Sequence, residues 1–317
     1  MYKIGDLIKH ERKAKGLSQE ELSAGICSVS NLSRIESNEQ APTRQKLQAL
    51  LERLGITGDY LLPFANIQEV KALEIEREIN HYILKERDLD KAKKMLEEIL
   101  VLKNEGEIYD IYITFLEIFI AEREGSDLLR INRTYQVLVQ KLIPDFSHEK
   151  IAEKPRSKKE LTIFNGYALN LLLLGRTKQS GAISKSVMKC IEKWVDDKEA
   201  LSGVYTDAVY YHSNALFIQK KFSECLQVAE QGLVQLVKFE AVNLVGYAVI
   251  LYNKGKSLAE LGKLAEARRA FVQAYYVAES TGLNSVVELI NSEVGQKVGL
   301  LERILDFAQK KGIESWV

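Results

Sequence analysis

Proline and cysteine are scarce in this sequence. The first scarcity favours long helices, and the second bears on the redox state of the protein. Four prolines in 317 residues leave long stretches in which nothing interrupts a helix. The three cysteines lie far apart, with no C-x-x-C spacing, so a reduced protein is the simpler interpretation. Because hydrophobic residues make up 46% of the chain, there is ample material for a helical core. We therefore expect an all-α protein of two or more domains or a repeat array.

The chain also lacks net charge and a long apolar run, and we expect no secretion signal. It has 44 Lys and Arg against 44 Asp and Glu, so nucleic-acid binding would need a local patch. No stretch approaches the roughly 20 apolar residues that span a bilayer. The first residues do not show the charged-then-apolar order of a leader. We expect a cytoplasmic protein with no membrane segment.

Signals for catalysis and for metal binding are missing as well. The four histidines form no ligand-spaced pair. The run Gly-Lys-Ser at 255–257 lacks the first glycine of a phosphate-binding loop, because position 250 is Ile. No G-x-S-x-G or G-x-G-x-x-G motif occurs. We expect no enzymatic activity, no metal site and no cofactor.

The first sixty-odd residues contain helix signals in close succession. Apolar residues at helical spacing before Gly16 predict a first helix that ends at this glycine. Ser18 and Glu21 form a capping-box pattern, and a last short turn is expected at 59–62. The predicted N-caps of the second, third and fourth helices are Ser18, Ser28 and Thr43. Because a tight turn separates the second helix from the third, residues 1–64 predict a helix-turn-helix domain of five helices, the last being the short turn at 59–62.

The third predicted helix has short polar side chains around two inward-facing residues, Leu32 and Ile35. A helix in the DNA major groove needs such side chains, since Asn pairs with adenine and Arg with guanine. The fourth helix would offer its N-terminal N–H groups to a phosphate. Gln19 would either meet a phosphate or support the third helix. The candidate DNA-binding residues are Gln19, Ser28, Val29, Ser30, Asn31, Ser33, Arg34, Thr43 and Arg44.

Charge gives this interpretation little support. Residues 1–64 contain nine basic and eight acidic side chains. The alternative is a small helical domain that binds protein, with a third helix that is merely solvated.

Two stretches, RKAKGLSQEELS and SVSNLSRIES, resemble the Xre-type helix-turn-helix family. The resemblance covers about residues 3–62 and implies DNA binding. It also implies a structural ion pair between the first helix and the residue that ends the third, here Arg12 and Glu36. The family usually has glycine where this sequence has Asn38, and asparagine also tolerates a left-handed backbone.

The region from 65 to 317 predicts helices throughout. Residues 65–85 are highly charged and form either a long linker helix or the first helix of the next domain. Residues 144–159 include two prolines and a basic run, and we expect a solvated loop, with a DNA-backbone contact as the alternative.

A repeat is clearest in AVILYNKGKSLAELGKLAEARRAFVQAYYVAEST. Starting from Gly255, small residues follow at Ala267 and Ala274, with an aromatic residue at Phe271. These positions resemble the tetratricopeptide repeat, in which two helices pack too closely for larger groups. Other segments are more degenerate copies. Residues 86–317 therefore predict a tetratricopeptide-like array of about five repeats with a terminal helix.

Stacked helix pairs form a concave groove lined by the first helix of each pair. Asparagine suits such a groove because its amide bonds both the N–H and the C=O of an extended peptide. The candidate peptide-binding residues are Asn165, Asn170, Tyr211, Asn214, Asn253 and Lys256. The alternative is that these side chains line the groove without contacting a ligand.

Together, the two regions resemble the peptide-pheromone-sensing regulators of the Rgg, PlcR, NprR and PrgX group. The resemblance implies a homodimer on a two-fold symmetric DNA operator, with a short signalling peptide in the groove, as in quorum sensing. Two alternatives stay open. A constitutive protein partner could control a DNA-bound regulator, or the chain could be an interaction adaptor that does not bind DNA.

Overall fold

The structure is a computed structural model that describes residues 4–56, 75–76, 78–79, 82–83, 88–101, 107–195, 201–239, 244–284 and 286–291. Every regular element in those ranges is helical, which confirms the all-α prediction. The predicted turn at 59–62, most of the predicted linker at 65–85 and most of the terminal helix lie outside them.

Within residues 4–56, the N-terminal domain contains four helices. They are α1 (Ile4–Ala14), α2 (Gln19–Ser23), α3 (Val29–Glu36) and α4 (Arg44–Arg53). All three predicted N-caps are confirmed, since the side chains of Ser18, Ser28 and Thr43 each accept a bond from the backbone N–H three residues on. The helices share one buried core, which includes Ile8, Leu22, Leu32, Ile35, Leu50 and Leu54.

The chain turns sharply after α3 at Asn38. Its φ of 60° lies in the left-handed region, as the sequence predicted. Its Oδ1 accepts a hydrogen bond from the Gly5 N–H at 3.1 Å, and its Nδ2 donates to Asp6 Oδ1 at 3.0 Å. Asparagine thus adds a contact to α1 that glycine could not make.

The rest of the described chain consists of longer helices. They are α5 (Leu89–Val101), α6 (Glu107–Arg123), α7 (Leu128–Leu142), α8 (Lys158–Leu173), α9 (Thr177–Trp194), α10 (Ser202–Ile218), α11 (Phe222–Lys238), α12 (Leu244–Glu260) and α13 (Leu264–Ser280). Between α7 and α8, a 3-10 helix spans His148–Ala152. The predicted solvated loop at 144–159 is only partly solvated, because Ile151 in this short helix is fully buried.

The chain divides into two compact units. The first comprises Met1–Arg176 and Ser186–Leu201, and the second comprises Thr177–Lys185 and Ser202–Val317. The N-terminal domain therefore groups with the first part of the array. The predicted domain boundaries at 64 and 85 fall among residues that are largely outside the described ranges and stay predictions.

Buried aromatic rings contact one another in the array part of the first unit. The Tyr135 ring lies 6.3 Å from that of Phe115 and 5.8 Å from that of Tyr167, between centroids. These three residues come from α7, α6 and α8. The contact joins consecutive helices through fully or largely buried rings.

The second unit has the close helix packing that the repeat pattern predicted. A Cβ built on Gly255 of α12 would lie 2.7 Å from the Phe271 ring of α13. Cys225 of α11 is fully buried, and its Sγ donates to the Ser213 carbonyl of α10 at 3.1 Å. The glycine and this thiol are therefore packing residues.

We expect Gly255→Val to destabilise the second unit by about 1–3 kcal/mol, because the new side chain overlaps a buried ring. Urea unfolding followed by circular dichroism measures the change. In Phe271→Leu, which makes room, the added cost of Gly255→Val should shrink. Equal costs in both backgrounds would contradict the close packing.

Candidate DNA-binding and peptide-binding surfaces

A buried ion pair holds α3 to α1. Arg12 Nε lies 2.6 Å from Glu36 Oε1, and Nη2 donates to Oε2 at 2.8 Å. The remaining Nη1 donates to the Leu17 carbonyl at 2.8 Å, and Gln19 Nε2 donates to Glu36 Oε2 at 2.9 Å. Both side chains are nearly inaccessible to solvent. The pair implied by the family resemblance is thus present, and it fixes the end of α3 against α1 and the start of α2.

The electrostatics of the pair favour the charged forms. Hydrogen bonding to Glu36 raises the pKa of Arg12. Burial alone would raise the pKa of Glu36, but the bonds from Arg12 and Gln19 outweigh it and the pKa is lowered overall. Glu36 is therefore ionised at neutral pH.

One face of α3 is exposed and polar. Ser28, Ser30 and Arg34 are exposed, and Val29 is 39% exposed. Ser33 and Asn31 are half-buried on its flanks. Leu32 and Ile35 occupy the opposite face and are buried. The buried ion pair and these two core residues thus hold the helix with its short side chains pointing outwards.

Gln40 is a further residue beside α3 that the sequence did not reveal. Asn31 Nδ2 donates to Gln40 Oε1 at 3.2 Å, so two amides meet beside α3. Gln40 itself is exposed. No motif identified it, because the contact depends on the path of the loop after Asn38.

The other predicted DNA-binding residues belong to α2 and to the start of α4. Gln19 is half-buried and its amide is bonded to Glu36, which favours the supporting role over the phosphate contact. Thr43 is exposed and caps α4 through the Lys46 N–H, at 3.4 Å. Arg44 begins α4, and its side chain lies outside the described part of the chain.

Two of the six candidate peptide-binding residues lie on α8 in the first unit, and both are buried. Asn170 Nδ2 donates to Glu122 Oε1 at 2.7 Å and to the Leu128 carbonyl at 3.3 Å, while Oδ1 accepts from Asn132 Nδ2 at 2.8 Å. Asn165 is 3% exposed. Their amides are therefore not at the surface, and Asn170 joins α6, α7 and α8.

In the second unit, Asn253 of α12 is also fully buried. Its Nδ2 donates to Ser213 Oγ of α10 at 2.9 Å, so this asparagine joins two helices. The expectation that it presents its amide to a groove does not match this placement.

The remaining three candidates are half-exposed in the second unit. Tyr211 and Asn214 lie on α10 and Lys256 lies on α12. The Lys256 ammonium lies over two rings, 4.5 Å from the Phe217 centroid and 4.8 Å from the Tyr252 centroid. An ammonium held over aromatic rings offers both positive charge and apolar surface to a ligand.

The described residues show neither a metal-binding cluster nor a membrane-spanning helix. They contain no group of three or more His, Cys, Asp or Glu side chains that could hold a metal ion. Among them, no helix is long and apolar enough to cross a membrane.

Comparison with known proteins identifies both parts of the fold. Residues 8–61 match the family model described as helix-turn-helix. No curated protein matches the sequence. Bacillus thuringiensis PlcR, solved in complex with the peptide PapR7 and DNA, is 19% identical, over 92% of this chain and 99% of that chain, with a TM-score of 0.59. The apo form of the competence regulator ComR from Streptococcus vestibularis is 17% identical, over 92% and 96%, with a TM-score of 0.55.

Residues 8–61 thus form a helix-turn-helix domain, and an array of helices follows it in the chain. Its fold is that of PlcR and ComR. The resemblance that the sequence suggested is confirmed in fold.

We expect Glu36→Ala to destabilise the N-terminal domain by about 3–5 kcal/mol, because Arg12 would stay buried without a counter-charge. Urea unfolding measures this. The pKa of Glu36 is lowered on folding, so its stabilisation is present above its ordinary pKa of 4.5 and is lost as pH falls. The difference between wild type and variant should therefore shrink in acid.

The double variant Arg12→Met with Glu36→Leu is the matched control. It removes both charges and should recover part of the lost stability. A Glu36→Ala variant as stable as the wild type would contradict the role of the pair.

Proposed function

We propose that this protein is a sequence-specific DNA-binding transcription regulator that is controlled by a short signalling peptide bound to its helical array. The proposal of DNA binding rests on one observation. Buried contacts fix the inner side of α3, while its face of short polar side chains stays exposed. The match of residues 8–61 to the helix-turn-helix family supports it. PlcR, which has the same fold, was solved with a peptide and DNA.

In this proposal α3 is the reading helix and lies in the major groove. Arg34 would bond a guanine, and Asn31 an adenine, with Gln40 orienting the Asn31 amide. Ser28, Val29, Ser30 and Ser33 would contact bases or the adjoining backbone. Thr43 and Arg44 would meet a phosphate at the N-terminus of α4. Gln19 would support the reading helix through Glu36.

We further propose that the protein acts as a cytoplasmic homodimer. Two copies would place two reading helices on a two-fold symmetric operator, one helical turn or a multiple of it apart. The neutral net charge of the chain is consistent with specificity that depends on this local face.

The peptide would bind the half-exposed side chains of the second unit. Tyr211 and Asn214 can bond a peptide backbone, and Lys256 can attract a carboxylate. Asn214 also bonds the Tyr210 hydroxyl, which partly offsets the rise that burial causes in the pKa of Tyr210. The peptide would regulate DNA binding only if it prefers one of two conformations of the dimer.

The test of DNA reading is selection of operator sequences from promoter fragments by the purified full chain. We expect Arg34→Ala to weaken binding to the selected operator by about 1–3 kcal/mol and to relax its sequence preference. Arg130→Ala, which removes an exposed arginine of α7, is the control and should leave affinity unchanged. Equal affinity of wild type and Arg34→Ala would favour the adaptor alternative.

The test of peptide control uses synthetic peptides from short reading frames beside the gene. We expect Tyr211→Ala combined with Asn214→Ala to abolish the peptide's effect on operator affinity while DNA binding itself persists. Gln231→Ala, an exposed position on α11, serves as the control. An operator complex that no peptide alters would favour a constitutive protein partner.

A further inference from the structure

Glu160, near the start of α8, lies where the N-terminal domain meets the array within the first unit. Its side chain is 1% exposed and lies between two guanidinium groups. Arg53 Nη2 is 3.3 Å from Oε2, and Arg156 Nη1 is 3.3 Å from Oε1. Glu160 also completes a capping box, in which Oε2 accepts from the Ser157 N–H at 2.8 Å. The carboxylate is therefore fixed by its own helix.

Arg53 is the last residue of α4, and it connects Glu160 to the helix-turn-helix. Its Nη1 donates to the Leu22 carbonyl at 3.2 Å and to the Ala24 carbonyl. Both carbonyls lie at the end of α2, just before the turn that leads to α3. The buried Arg53 guanidinium thus connects the array to the end of α2, the helix that precedes the reading helix.

Three other contacts join the same two parts. Lys154 Nζ lies 2.6 Å from Glu21 Oε1. Lys15 Nζ donates to the Trp194 carbonyl at 3.4 Å. A Cβ built on Gly55 would lie 2.5 Å from that carbonyl, so the two backbones are in close contact. We call these contacts, together with the Arg53–Glu160 pair, the mount.

The mount does not cover the exposed polar face of α3. Its members on the N-terminal domain belong to α1, α2, α4 or the segments beside them, and none belongs to α3. Ser30 and Arg34 stay exposed. The mount therefore holds the domain without blocking its polar face.

Glu160 is charged at neutral pH. Burial alone would raise its pKa, but Arg53, Arg156 and the capping bonds lower it to about 2. A buried carboxylate between two guanidinium groups holds its partners in one relative orientation, because loss of either partner would leave a buried charge uncompensated.

We propose that Glu160 is a positioning residue for operator binding: acting through Arg53, it fixes the orientation in which the array presents α3 to DNA. The inference rests on the proposed function and specifies how the array would control it. A dimer must set two reading helices at one half-site spacing. A rigid mount raises the effective concentration of the second reading helix at its half-site.

The experiment uses full-length Glu160→Gln. Glutamine can keep the capping box but cannot supply the charge. We expect affinity for the two-half-site operator to fall by about tenfold, whereas affinity for a single half-site stays unchanged. We also expect faster amide hydrogen exchange around residues 20–24, 150–157 and 190–195, with α3 unchanged.

Lys93→Met is the control, because it breaks an exposed ion pair with Glu124 inside the array and should change neither readout. If Glu160→Gln fails to fold, Lys154→Met loosens the mount at an exposed site and should give smaller changes of the same kind.

The outcomes separate the two claims. Equal losses on the half-site and the full operator would mean general destabilisation and would overturn the positioning role. If Glu160→Gln changes neither amide hydrogen exchange nor operator affinity, the positioning role of the mount is overturned and the proposed function stands. If the folded wild-type protein binds neither the single half-site nor the two-half-site operator, the proposed function is overturned, and the positioning role with it.

Discussion

The buried pair of Arg12 and Glu36 is the interaction on which the proposed DNA-binding surface depends. It pairs the buried Glu36 carboxylate at the end of α3, while Ser30 and Arg34 on the outer side stay exposed. Because the same guanidinium bonds the Leu17 carbonyl, three successive segments share one charge centre. Arg53 repeats this arrangement further along the chain, where it bonds the end of α2 and the array. Two buried arginines thus fix the position of α3 and connect the helices around it to the array.

Local signals were sufficient to predict most of the N-terminal domain. N-caps depend on a side chain and a backbone N–H three residues away, so Ser18, Ser28 and Thr43 were identifiable from sequence. Asn38 was identifiable for a similar reason, since few residues tolerate its backbone. In the array, Gly255 and Phe271 were predictable as a pair because close helix packing demands a small residue opposite a ring.

The sequence could not distinguish an asparagine at the surface from one between helices. Asn170 and Asn253 both lie on helices whose composition allows either, and only packing showed that they bond neighbouring helices. The Arg53–Glu160 contact was equally hidden, since 107 positions separate its members and no motif links them. Gln40 depends on the path of one loop. In each case the deciding factor was long-range geometry.

The most direct test of the account is fluorescence anisotropy of the full-length protein with DNA from around its own promoter, with and without short peptides encoded nearby. We predict salt-sensitive binding that one peptide changes, since charge contacts with phosphates contribute to affinity and the peptide shifts the conformation. Binding that no peptide changes would contradict peptide control. Absence of binding to any promoter fragment would contradict the central claim that this helix-turn-helix reads DNA.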